Sequence, residues 1–147
     1  MAGVGVPQFS ALKEIADVAS VPIISDGAIK MSGDVSKCLI YSEGVMIGSM
    51  ISGCSETPGH VFRRALDNQY YKVYGGSASG ERKEDKKFIE GIVEQPLFKG
   101  KVKYILREIK QGVQSSFSYV GAKNLKEFQA KAKYSIISDG SRVESKM

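Results

Sequence analysis

The sequence predicts a parallel α/β fold with too few strands to close a sheet on itself. Two observations carry this. Residues 9–49 read helix, strand, helix, strand, an alternation that marks parallel strands joined by right-handed helical crossovers. After Ile51 the alternation stops, and the rest of the chain offers only short, scattered strand candidates.

The elements follow in order. In residues 9–19, Leu12, Ile15, Ala16 and Ala19 recur at helical spacing with Lys13, Glu14 and Asp17 between them, so the segment reads as an amphipathic helix. Pro22 stops it. Residues 21–25 (VPIIS) are an apolar run ending at Asp26-Gly27, which suits a parallel strand covered on both faces. Ser32 is expected to cap a helix running to about Tyr41, with Asp34 in its first turn and Val35, Cys38 and Leu39 on one face. Residues 45–47 form the next strand, ending at Gly48-Ser49.

Residues 53–60 (GCSETPGH) have the composition of a loop, and residues 70–74 are a strand candidate. The stretch 75–87 is Gly/Ser-rich and then dense in charge, with little to bury, and is expected to be mobile. A helix is expected over residues 102–118, with Ile105, Leu106, Ile109 and Val113 on its apolar side. Asn124, with Glu127 three residues on, caps a final helix to Lys133, and residues 134–137 are a candidate closing strand.

Composition bounds the function. A chain of 147 residues, 42% hydrophobic and 25% charged, is ordinary for one globular domain. No apolar run approaches a membrane span, and residues 1–8 (MAGVGVPQ) do not resemble a signal peptide. The expected compartment is the cytoplasm, with neither membrane nor nucleic acid as partner. The net charge of +5 reads as a solvated basic surface, because no nucleic-acid motif accompanies it. Polyanion binding would rest on charge alone. Cys38, Cys54 and the single His60 are too few and too scattered for a structural zinc. Cys38 lies in an apolar helical stretch and reads as a buried small hydrophobe. Cys54 has no base beside it, so neither cysteine is a predicted nucleophile.

Chemistry is expected where the two strands end. Asp26-Gly27 and Gly48-Ser49 place small, backbone-exposing residues after successive strands. Glycine lets main-chain N–H groups approach an anion, and serine adds a hydroxyl donor. Asp26 would accept from a ribose diol. The dipeptides alone read equally well as turn formers. The segment GGSASG at residues 75–80 reads as a flexible linker unless context makes it a phosphate loop.

Nine short motifs occur in order. They are GVGVPQ at residues 3–8, SDGAI at 25–29, SGD at 32–34, VMIGSMISG at 45–53, ETPG at 56–59, YKVYGGSAS at 71–79, EGI at 90–92, FKG at 98–100 and SYVGA at 118–122. Together they resemble the last two βα units, flap and closing helix of the IMP dehydrogenase/GMP reductase family, across nearly the whole chain. The resemblance implies an incomplete, C-terminal part of a TIM (β/α)8 barrel with a flap insertion at about residues 75–95. A complete barrel needs eight strands and roughly 250 residues, and loops after strands seven and eight often bind phosphate.

By position, the resemblance implies that Asp26 binds the ribose hydroxyls of a purine nucleotide. Gly27, Gly48, Ser49 and Tyr74 would line the phosphate pocket. Gly76, Ser77 and Ala78 would lie along the purine, with Glu90 at its N1 and O6 edge. Ala28 stands where the family commonly has glycine, narrowing the pocket by a methyl group. No Arg-Tyr pair, the water-activating pair of the dehydrogenases, lies between Gly80 and Phe88. YGGSAS is closer to the flap of bacterial GMP reductases, and Glu81, displaced by one residue, is the candidate catalytic glutamate. The expected activity is therefore NADPH-dependent reduction of GMP to IMP. The alternative is NAD-dependent oxidation of IMP to XMP, towards which GVGVPQ and the tail SRVES at 141–145 lean; a similar tail helps bind potassium in that enzyme. The intact enzyme is expected to be a homotetramer. The family's nucleophilic cysteine loop lies upstream of the segment matching Gly3, so the chain is expected to be inactive alone. A non-catalytic nucleotide-binding remnant is the third reading.

Overall fold

The structure is a computed structural model that describes residues 5–75, 93–138 and 140–141. Its first part follows the predicted alternation. Helix α1 (Gln8–Ala16) leads to strand β1 (Ile24–Asp26), and helix α2 (Ser32–Cys38) leads to strand β2 (Gly44–Met46). β1 and β2 are parallel, with Ile24 opposite Gly44, Ser25 opposite Val45 and Asp26 opposite Met46. Asp26 and Gly48 therefore lie just at and beyond the same end of the pair.

The strand period of two sends alternate side chains to opposite faces. Ser25 is fully buried towards the helices, whereas Ile24 and Met46 are 62% and 55% exposed on the other face. The apolar run at 21–25 was expected to be covered on both sides. Only one face is covered, because the described helices that pack here all lie on one side. Val21 falls outside the strand and is exposed.

The core sits between this sheet and the helices. Leu12, Ile29, Val35, Cys38 and Met50 are buried together, with Ile105, Ile109 and Val113 packed against them. Burying each large aliphatic side chain contributes about 1.5–3 kcal/mol. α1 offers a narrower stripe than its sequence predicts: Leu12 is buried, while Ile15 and Ala19 are exposed. Met31 is the N-cap of α2 where Ser32 was expected to be. Asp34 secures the start by accepting from the Lys30 and Met31 N–H groups at 3.1 and 3.2 Å.

Helix α3 (Val102–Tyr119) packs on α2. Gly112 is the point of close approach, since a Cβ there would stand 2.5 Å from the Ser32 side chain. Ser116 donates to Ser36 across the same contact at 2.9 Å. Ile105, Ile109 and Val113 face the core as expected, but Leu106 is half exposed. Helix α4 (Leu125–Lys131) has the predicted cap: Asn124 accepts from the Glu127 N–H at 2.9 Å. Phe128 stacks on Phe117 at 4.4 Å and fixes α4 to α3.

Between β2 and α3 the chain builds two small antiparallel pairs. Strand β3 (Val61–Arg63) pairs with β4 (Tyr70–Lys72), and β5 (Tyr74–Gly75) pairs with β6 (Val93–Glu94). The single strand expected over 70–74 is thus two strands, and β3 and β6 went unpredicted because each is so short. The candidate closing strand at 134–137 has no strand partner among the described residues. Tyr134 docks instead, edge-on, against Phe9 and Tyr41. The expected flap at about 75–95 lies almost wholly outside the described residues.

Candidate functional site

The parallel pair brings four of the predicted residues to one edge. Asp26 ends β1 and is exposed, and Gly27 and Ala28 follow it with φ of +105° and +59°. Both torsions are left-handed, so this turn bends sharply directly after the strand. Glycine adopts such torsions freely, whereas an alanine there costs about 1–2 kcal/mol. This gives a backbone reason for the glycine expected at position 28, alongside the extra methyl group. Beneath the turn, the buried Ser25 hydroxyl accepts from Gln8 Nε2 at 3.2 Å. A cleft of about 260 Å³ opens beside it, lined by Gln8, Phe9, Gly27, Ala28, Asp34 and Lys37 among others.

The second loop begins at Gly48 and Ser49, both exposed. It folds through two tight turns, with the Ile51 N–H donating to Gly48 O at 3.1 Å and the Cys54 N–H to Ile51 O at 2.9 Å. Tyr74 arrives from the β5–β6 pair and sets its hydroxyl over Gly48, 3.0 Å from where a Cβ would stand. A Cβ at this position would press the phenol back by a few tenths of an ångström. Asp26, Gly27, Gly48, Ser49 and Tyr74 therefore gather at one end of the sheet. Gly76, Ser77, Ala78, Glu81 and Glu90 lie outside the described residues, as does all of the tail segment SRVES except Ser141.

Two lysines with no role in the sequence reading hold the second loop. Lys72 is 1% exposed, and its ammonium donates to Cys54 O at 2.6 Å, to Thr57 O, and to Thr57 Oγ1 at 3.2 Å. Lys99 donates to Met50 O at 2.9 Å and to Ser49 O at 3.3 Å. The segment around Lys99 is strapped to the loop by main-chain bonds, Lys99 N–H to Gly53 O and Ser55 N–H to Gly100 O. Glu56 closes the strap by accepting from the Val102 N–H at 2.9 Å, which holds its carboxyl below the usual range. Both lysines fall within quoted motifs, YKVYGG and FKG. Their contacts are legible only once residues 48–57 and 97–102 are seen together.

Neither cysteine is placed for catalysis. Cys38 is buried in the core and Cys54 is fully buried, its thiol pushed up by burial. Among the described residues no cluster of His, Cys, Asp or Glu could hold a metal, and no helix is long and apolar enough to cross a membrane.

Comparison with known proteins places this geometry. The model of the IMP dehydrogenase / GMP reductase domain matches residues 1–147. An inosine-5'-monophosphate dehydrogenase of Methanocaldococcus jannaschii is 36% identical over 99% of this chain and 34% of its own length. A GMP reductase of Acidovorax sp. (strain JS42) is 41% identical over 92% of this chain and 41% of its own length. Among solved structures, a GMP reductase variant from Trypanosoma brucei in complex with guanosine 5'-monophosphate superposes with a TM-score of 0.87 at 34% identity. That match covers 98% of this chain and 32% of the other. The chain thus spans about a third to two-fifths of the length of these relatives, and its α/β architecture is consistent with part of a barrel. On these grounds the chain belongs to the IMP dehydrogenase/GMP reductase family.

Proposed function

We propose that this chain supplies the phosphate- and ribose-binding part of a purine-nucleotide oxidoreductase, and that the reaction is the reductive deamination of GMP to IMP. The observation that carries the binding role is the convergence of Asp26, Gly27, Gly48, Ser49 and Tyr74 at one sheet end. An exposed carboxylate suits the two hydroxyls of a ribose, and glycine main chain with a serine and a tyrosine hydroxyl suits a phosphate. Gly76, Ser77 and Ala78 would lie along the purine and Glu90 at its N1 and O6 edge, with Glu81 as the acid near the reacting base.

A thiolate that attacks purine C2 has to come from outside these 147 residues, since Cys38 and Cys54 are both buried. A nicotinamide dinucleotide would supply hydride, as NADPH in the reductase. This reading places much of that cofactor's site on the rest of the barrel. The working enzyme would be a homotetramer in the cytoplasm.

The second reading is the oxidation of IMP to XMP with NAD. The M. jannaschii dehydrogenase matches 99% of this chain, and GVGVPQ and SRVES lean the same way, the latter with potassium. Turnover separates the two. With the chain joined to the remaining strands of a family barrel, oxidation of NADPH on GMP is the expected result. Reduction of NAD on IMP would replace this reading with the dehydrogenase. No turnover and no binding of either nucleotide would leave a non-catalytic remnant.

A further inference from the structure

We propose that Lys99 is a positioning residue for the anion-binding loop at residues 48–50, acting through that loop's backbone and not by touching the ligand. The inference rests on the phosphate reading of this loop. In a trans peptide the C=O and N–H point in opposite directions. Lys99 Nζ donates to the carbonyls of Ser49 and Met50 at 3.3 and 2.9 Å. The peptide that presents Ser49 O to the lysine therefore turns the Met50 N–H away from it. The Ile51 N–H, on the other engaged peptide, is already spent on Gly48 O. A cation at the oxygen end of a peptide polarises it and makes its N–H a better donor to an anion.

Two further features fit a role in holding the loop. Ser49 O also accepts from Ser52 Oγ at 2.8 Å, so its direction is set from two sides. Among the described residues Lys99 forms no ion pair with a carboxylate. Lys72 performs a different task further on, holding residues 54–57. Of these two lysines, Lys99 is the one that meets the part of the loop beginning at Gly48.

The test compares GMP with guanosine on the full chain, by calorimetry, for the parent, Lys99→Met and Lys99→Arg. Thermal melting checks that each variant is folded. The inference expects Lys99→Met to weaken GMP about tenfold, the effect of losing one charge-assisted contact of ~1.4 kcal/mol, while guanosine is unchanged. Lys99→Arg should recover most of the loss, because a guanidinium also donates to two carbonyls. Equal GMP affinity in parent and Lys99→Met would overturn the role of Lys99 and leave the phosphate reading standing. Equal weakening of GMP and guanosine would also overturn it, reducing Lys99 to general support. If the parent binds GMP no better than guanosine, the phosphate reading itself falls, and the inference with it.

Discussion

The two loops that meet at the candidate site are held in opposite ways. The loop after β1 takes its form from its own backbone, with left-handed torsions at Gly27 and Ala28 and with Asp34 accepting from the N–H groups of Lys30 and Met31. The loop after β2 is held from a distance, by Lys72 and Lys99, which lie 18 and 50 residues from the carbonyls they meet at Cys54 and Ser49. The first is specified locally and should respond to changes within itself. The second is a joint between segments, and its weak points are the residues that reach across.

The largest effect is expected where that joint is most buried. Lys72→Met keeps the length of the side chain but removes the donor to the Thr57 carbonyl in a largely buried setting, and leaves the Cys54 carbonyl with only the Thr57 hydroxyl and N–H. The expected loss is about 2–3 kcal/mol of stability, read by urea or thermal unfolding. A loss below about 0.5 kcal/mol would show that the ammonium merely fills space. Ala28→Gly tests the locally specified loop and works in the opposite direction. Relief of the left-handed alanine is worth about 1–2 kcal/mol and the added freedom of the unfolded chain costs about 0.4–1. The net should be a gain of about 0.5–1 kcal/mol, with no change in the contacts of the second loop.

The smallest effect comes from surface carboxylates. Glu56 is held below its usual range chiefly by the Val102 N–H, and Glu127 by the Lys123 N–H and Lys131. A carboxylate depressed in the folded state adds stability that is complete above its unfolded value and is lost as pH falls through the folded one. Stability should therefore be level from neutral pH to about 5 and decline below about 4.3, the ordinary glutamate value. Glu56→Gln should make that decline slightly shallower in melts taken across this range.

The sequence disclosed the locally encoded parts of this molecule and little of the rest. The αβαβ order, the buried Val35 and Cys38 and the Asn124 cap were all legible, because each depends on spacing within a few residues. The convergence of Asp26, Gly27, Gly48 and Ser49 followed from placing both dipeptides after parallel strands. The pairing of β3 with β4 and of β5 with β6 was not legible, since strands of two or three residues carry no periodicity. Residues 134–137 have the composition of a strand, yet Tyr134 finds an aromatic pair instead of a ladder. The lysine contacts escaped for a third reason. A lysine in a motif reads as surface charge until the carbonyls it meets, far away in the chain, are known.

The central claim is that both loops bind one nucleotide, with phosphate at residues 48–50 and ribose at Asp26. Its most direct test is a titration of the isotope-labelled full chain with GMP, followed at each backbone amide. The account predicts saturable shifts at residues 26–28 and 48–50 with a common affinity, and none along β3 and β4. Shifts confined to one loop, shifts centred on β3 and β4, or no shifts at all would contradict it.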